Sequence, residues 1–193
     1  MSEPLTQRVD AQLDRTVQPE VTAFARHLAE AAGARAALFY GSNLRTGELE
    51  GVLDFYLLLP GPQRDRIWPR VSYHEWDHAG LTLRAKVATM SLETFARACR
   101  GESRDTTIWA RFVQPSALVH VQGAEARAAV RTAIERAAVT AAGYAAALGP
   151  PAGAEADYWR ALFRETYKAE FRVEQPGRED SILGLNPGHF DGL

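Results

Sequence analysis

Between residues 19 and 32 the apolar positions Val21, Phe24, Leu28 and Ala32 recur near helical spacing, which predicts an amphipathic helix capped by Gly33. The pattern then changes. Residues 36–40 (AALFY) and 52–59 (VLDFYLLL) are short apolar runs closed by Gly or Pro, and they predict two strands. Asn43, Arg45, Thr46, Gly47, Glu48 and Glu50 lie between them as a turn-rich connection. Residues 62–79 are rich in Arg, Trp, His and Asp without an extended apolar face, and they predict a loop. Residues 81–90 alternate well enough for a third strand, after which Ser91 caps a helix with Glu93 in its first turn and Gly101 at its end. Residues 108–115 predict a short helix or turn ending at Pro115, and residues 117–121 a further strand. Val130, Ile134, Ala138, Ala141, Ala145 and Leu148 then predict a long Ala-rich packing helix, stopped by Gly149-Pro150-Pro151. A last helix is expected over residues 157–173, before the break at Pro176-Gly177. Residues 183–193 are too few for a domain and are either mobile or docked.

This order predicts an α/β (α+β) fold: a mixed sheet of four or five strands flanked by helices, with a C-terminal helical layer. Residues 1–123 form the expected core, and residues 124–193 a helical region that packs on it and contributes to its site. A chain of 193 residues can bury one good core. With 24 acidic and 22 basic residues it has no overall field for nucleic acid, and it lacks a basic stripe with stacked aromatics, so nucleic acid is not an expected partner. Any anion site must be local. One cysteine, Cys99, has no His or Asn near it in sequence and reads as a small buried apolar residue in a reducing, cytosolic setting. The N-terminal stretch has no apolar signal region, and no run of about 18 apolar residues occurs.

Candidate chemistry centres on residues 37–59. Gly41-Ser42 ends the first strand, where a glycine lets backbone approach a phosphate closely and a hydroxyl and free amides can donate. Asp54 lies inside the next apolar run, where a carboxylate is costly unless it holds a metal or a cation. Nucleotidyl transfer needs both parts: a phosphate cradle, and a carboxylate for Mg²⁺, which takes few protein ligands besides phosphate oxygens and water. The general pattern for that chemistry places a second acid two residues on, and here Tyr56 stands there. Lys86 is notable because the chain has 20 arginines and only two lysines, Lys86 and Lys168, and lysine presents phosphate with a compact point charge. Arg111 is read as a solvated charge or a phosphate ligand, and His120 as a packed strand residue. Residues 74–78 spell HEWDH, but Asp77 in a spacer position and Gly80 close behind argue against a zinc-binding helix, and these histidines are expected in a loop lining the site.

The assembled pieces resemble the mitochondrial-type phosphatidate cytidylyltransferases, the translocator assembly and maintenance family. The similarity rests on FYGS at 39–42, LDFYLLL at 53–59, AKVATMSLETF with WARFVQP within 85–115, and TYKAEFRVEQPGREDSIL at 166–183. The family's first-strand signature carries a single Asp. Its later motif resembles Tyr167, Ala169, Glu170, Phe171 and Arg172. The resemblance implies that Gly41 and Ser42 contact CTP phosphates, that Asp54 and Glu170 hold Mg²⁺, that Lys86 and Arg111 neutralise phosphate charge, and that Glu170 with Arg172 closes the site. Asp54, Lys86 and Glu170 would be catalytic, with Gly41, Ser42, Lys86, Arg111 and Arg172 binding nucleotide. It further implies CTP and a phosphate-bearing acceptor such as phosphatidic acid, with peripheral contact at the inner face of a membrane. The family's added helical domain and C-terminal membrane-associating helix have no full counterpart here. A transferase with a non-lipid acceptor and a catalytically silent nucleotide- or partner-binding domain therefore stay open beside the lipid reading.

Overall fold

The structure is a computed structural model that describes residues 4–169, 178–186, 188–191 and 193. In chain order the elements are α1 (Leu5–Leu13), α2 (Pro19–Ala32), β1 (Ala36–Tyr40), α3 (Ser42–Thr46), β2 (Val52–Leu59), β3 (Arg70–His78), β4 (Leu81–Ser91), α4 (Leu92–Cys99), α5 (Thr107–Phe112), β5 (Ser116–Val121), α6 (Gly123–Leu148), α7 (Glu155–Ala169) and α8 (Arg178–Leu185). The five strands form one mixed sheet in the order β3-β4-β2-β1-β5. β1 runs antiparallel to both β2 and β5, β2 is parallel to β4, and β3 is antiparallel to β4.

Both faces of the central strands are buried, which is why β2 reads as a near-continuous apolar run. Side chains alternate across it. Leu53, Phe55 and Leu57 join Leu83, Ala85 and Val87 of β4 against Val21, Phe24 and Leu28 of α2. On the opposite face Tyr56 and Leu58 join Ala88 and Met90 in a second cluster under α4, α5, α6 and α7. α6 contributes Val130, Ala133, Ile134, Ala137, Ala141 and Ala145 to that cluster. Its small side chains let α1, α4, α5 and α7 pack around it. Among the described residues no helix is long and apolar enough to cross a membrane. Cys99 is fully buried, and burial pushes its thiol pKa far up, as expected of an apolar core residue.

Several stretches differ from expectation, among them residues 42–46 and 178–185, which form the short helices α3 and α8. Residues 70–78 are not a loop but strand β3, joined to β4 by Ala79 (φ 50°) and Gly80 (φ 80°) in the left-handed region that tight hairpins use. β3 is the sheet's edge and mostly exposed, so it shows no hydrophobic alternation. His74 and His78 do not line the Asp54 site. They share Trp76's face of β3, on the α2 side, where Trp76 stacks on His27 (4.9 Å between centroids), His78 (4.2 Å) and Phe24 (5.3 Å). α1 is also additional, a helix within a stretch where charge mixing masks the two residues it buries, Val9 and Leu13.

The described part of the C-terminal tail is docked. Phe190 packs on Trp159 and Phe163 at 5.3 and 5.5 Å, and Arg8 donates to the carbonyl oxygens of Gly188, His189 and Asp191. His189 donates from Nε2 to the Val113 carbonyl at 2.8 Å, the only role open to a nitrogen facing a carbonyl. Burial lowers the His189 pKa below its ordinary 6.5, the Val113 bond opposes this, and Arg15 and Arg8 lower it further. A depressed folded-state pKa makes the folded form bind fewer protons than the unfolded chain, so stability is full above the ordinary value and lost as pH falls through the folded one. Thermal melts should therefore show the parent losing stability as pH is lowered from about 7.5 to about 5, with a smaller loss in His189→Gln. Identical slopes for the two proteins would count against this assignment.

Candidate functional site

β1 ends at Tyr40, and the chain turns at Gly41 (φ 91°, ψ −164°) straight into α3. This backbone conformation is open almost only to glycine. The space is restricted as well, since a Cβ at residue 41 would stand 2.8 Å from Asp54 Oδ2. Register brings the other parts in. Tyr40 lies opposite Asp54 on β2, and Asp54 lies opposite Lys86 on β4, so three neighbouring strands present the turn, the carboxylate and the ammonium in a row. α5 then supplies Arg111, and α7 supplies Phe163, Thr166 and Tyr167. Together they enclose a cavity of about 230 Å³ lined by Gly41, Ser42, Asp54, Lys86 and Arg111.

Tyr56 explains how Arg111 is held. It shares Asp54's face of β2, is fully buried, and accepts a hydrogen bond from Arg111 Nη1 at 3.3 Å. The guanidinium carbon also lies 5.3 Å from the Tyr40 ring centroid and 5.9 Å from that of Tyr56, within cation–π range. The residue at the second-acid position thus orients a cation. Asp54 is half-buried, and desolvation raises its carboxyl pKa above the ordinary 3.8, with Lys86 and Arg111 each pulling it back. A cation delivered beside Asp54 would relieve that cost.

Among the described residues no group of three or more His, Cys, Asp and Glu could hold a metal ion. Asp54 is the one carboxylate among the described lining residues of this cavity. That donor set does not make a protein-only cage. It does fit a Mg²⁺ that arrives with a triphosphate and takes most of its oxygens from phosphate and water.

Of the residues singled out from sequence, Gly41, Ser42, Asp54, Lys86 and Arg111 line one cavity, whereas Glu170 and Arg172 lie outside the described residues. Lys168 is on the surface, its Nζ 2.7 Å from Glu165, so of the two lysines only Lys86 is among the described residues lining this cavity. His120 packs in β5, where burial lowers its pKa. Sequence reasoning missed Arg45, Thr107 and Gln114, which also line the cavity. Arg45 could have been found from its place one helical turn beyond Gly41, whose carbonyl it bonds at 3.2 Å. Thr107 and Gln114 carry no such local signal. Comparison of the chain with protein-family models and with curated proteins gives no match to either.

Proposed function

We propose that this protein is a Mg²⁺-dependent nucleotidyltransferase, resembling CTP:phosphatidate cytidylyltransferase, that joins a nucleotidyl group to a phosphate-bearing acceptor. The observation that carries the reading is the convergence of Gly41, Ser42, Asp54, Lys86 and Arg111 on one small cavity from four separate elements or their ends. In the reaction an acceptor oxygen attacks the α-phosphorus of CTP, the α–β phosphoanhydride bond breaks, and pyrophosphate leaves with the bonding electrons. Bound Mg²⁺ would neutralise phosphate charge and align the groups, held on the protein side by Asp54. The turn at Gly41 lets backbone approach the phosphates, and the Ser42 hydroxyl can donate to them. Lys86 and Arg111 offset the charge that develops on the leaving pyrophosphate, and Tyr56 and Tyr40 keep Arg111 aimed. With phosphatidic acid as acceptor the protein would work at a membrane surface as a peripheral enzyme.

The cation-holding Tyr56 favours one second reading, a nucleotide-binding domain without turnover. Incubation with labelled CTP, Mg²⁺ and phosphatidic acid vesicles separates the two. Pyrophosphate release is expected, falling about a hundredfold in Lys86→Ala. Tight CTP binding with no release on lipid or soluble acceptors would establish the silent reading instead.

A further inference from the structure

The row that brings Tyr40, Asp54 and Lys86 together does not stop at Lys86. Register continues it by one strand, because Lys86 on β4 lies opposite Tyr73 on β3, so Tyr40, Asp54, Lys86 and Tyr73 follow one another across four neighbouring strands. Directly paired residues share a face of the sheet. Tyr73 therefore stands on the same side as the cavity, one strand spacing of about 4.8 Å beyond Lys86 and two beyond Asp54. It is 72% exposed and, among the described residues, its side chain makes no hydrogen bond and no ring contact. Tyr144, also exposed, has its ring stacked on Trp109 at 5.0 Å. A single exposed ring needs no explanation in general. What sets Tyr73 apart is its address, at the end of a row whose other members line the cavity, on a strand held in place by a tight hairpin.

We infer that Tyr73 binds the base of the nucleotide, offering its ring as a stacking surface just outside the phosphate cavity. The inference rests on the nucleotidyl-transfer reading of that cavity and names the residue that receives the nucleoside. Direction follows from the order of the row. With the α-phosphorus at the metal beside Asp54 and the distal phosphates in the Gly41-Ser42 turn at the β1 end, the nucleoside leaves toward β4 and β3. The other sides carry chain: α5 and α7 bring Arg111, Phe163 and Thr166 over the cavity, and Arg45 and Pro115 line it at the β1 end. A base is a flat π system, and stacking on an aromatic side chain removes apolar area from water without needing a hydrogen-bond partner. Tyrosine supplies that surface on few rotatable bonds, so little freedom is lost on binding. Because every base has a π-face, Tyr73 contributes affinity and holds the nucleoside without choosing among bases.

Calorimetric titration of the full chain in Mg²⁺ tests this with two probes: CTP, and inorganic tripolyphosphate, which keeps the phosphates and lacks the nucleoside. Tyr73 is exposed, so its replacement should not disturb folding. The parent should bind CTP more tightly than tripolyphosphate. Tyr73→Ala should weaken CTP at least about tenfold and leave tripolyphosphate within about twofold, whereas Tyr73→Phe, which keeps the ring, should hold CTP within about twofold of the parent. Lys86→Ala should weaken both probes. The inference is overturned if Tyr73→Ala leaves CTP affinity unchanged, or if it weakens tripolyphosphate as much as CTP. A tenfold loss in Tyr73→Phe would assign the phenol hydroxyl rather than the ring and overturns it too. Failure of the nucleotidyl-transfer reading would look different: neither probe would bind the parent, and the inference would fall with it.

Discussion

Asp54→Asn should lower the proposed nucleotidyl transfer by about a thousandfold, or about 4 kcal/mol of transition-state stabilisation, while the protein stays folded. Asparagine keeps the shape of the side chain and removes the charge. Asp54 is the one carboxylate among the described residues lining the cavity, so no neighbour there can take over as the hard anionic oxygen. Folding should suffer little, because desolvation already penalises the Asp54 charge and its loss removes that cost, offset by the loss of a counter-charge for Lys86 and Arg111. Pyrophosphate release at saturating CTP and Mg²⁺ measures the first effect, and thermal melting the second. An Asp54→Asn enzyme with the parent's activity would end the assignment of this cavity as the catalytic one.

Gly41→Ala is the second large effect, and Gly47→Ala is its internal control. Both glycines have positive φ, 91° and 72°, so each substitution strains the backbone. At residue 47 a Cβ meets nothing within 4 Å, and the cost should stay near the 1–2 kcal/mol of an ordinary left-handed position, about 1 kcal/mol in melting experiments. At residue 41 the conformation lies in a region essentially reserved for glycine, which costs about 1–3 kcal/mol, and the new methyl group also displaces the Asp54 carboxylate. If Asp54 has the proposed role, shifting it by an ångström is enough for about a hundredfold loss of rate, so Gly41→Ala should lose activity out of proportion to its loss of stability. Gly47→Ala should keep nearly full activity. Equal activity losses in the two variants would show that backbone strain alone, and not the approach of Gly41 to Asp54, accounts for the effect.

The family resemblance, like the chemistry read from Gly41-Ser42 and Asp54, rests on short segments, and its value depends on where they meet. Gly41, Ser42 and Asp54 were legible as a unit because they sit on two successive strands whose apolar runs are clear. Lys86 was legible from residue scarcity, and register on the parallel partner β4 accounts for its position beside Asp54. Tyr56 looked like a defect in the motif. Its phenol accepts from Arg111 and so supports a cation where the general pattern has an acid. The HEWDH stretch shows the opposite outcome: a literal motif whose residues belong to an edge strand and stack against α2.

Sequence alone determined α2, β1, β2, β4, α4, β5 and α6: the helices and β4 through burial that recurs with the period of their backbone or through a capping residue, and β1 and β2 as short apolar runs bounded by turn residues because both their faces are buried. It also determined that Asp54 is exceptional, since a charge in a strand buried on both faces stands out against every neighbour. Only the tertiary structure decided which cations reach Asp54, that α7 closes one wall of its cavity, and that Tyr73 stands next to Lys86 in the same row. Those arrangements depend on helices packing across the sheet, which joins residues far apart in the chain. Isolated arginines on short or exposed segments carry no periodicity to announce that they will meet.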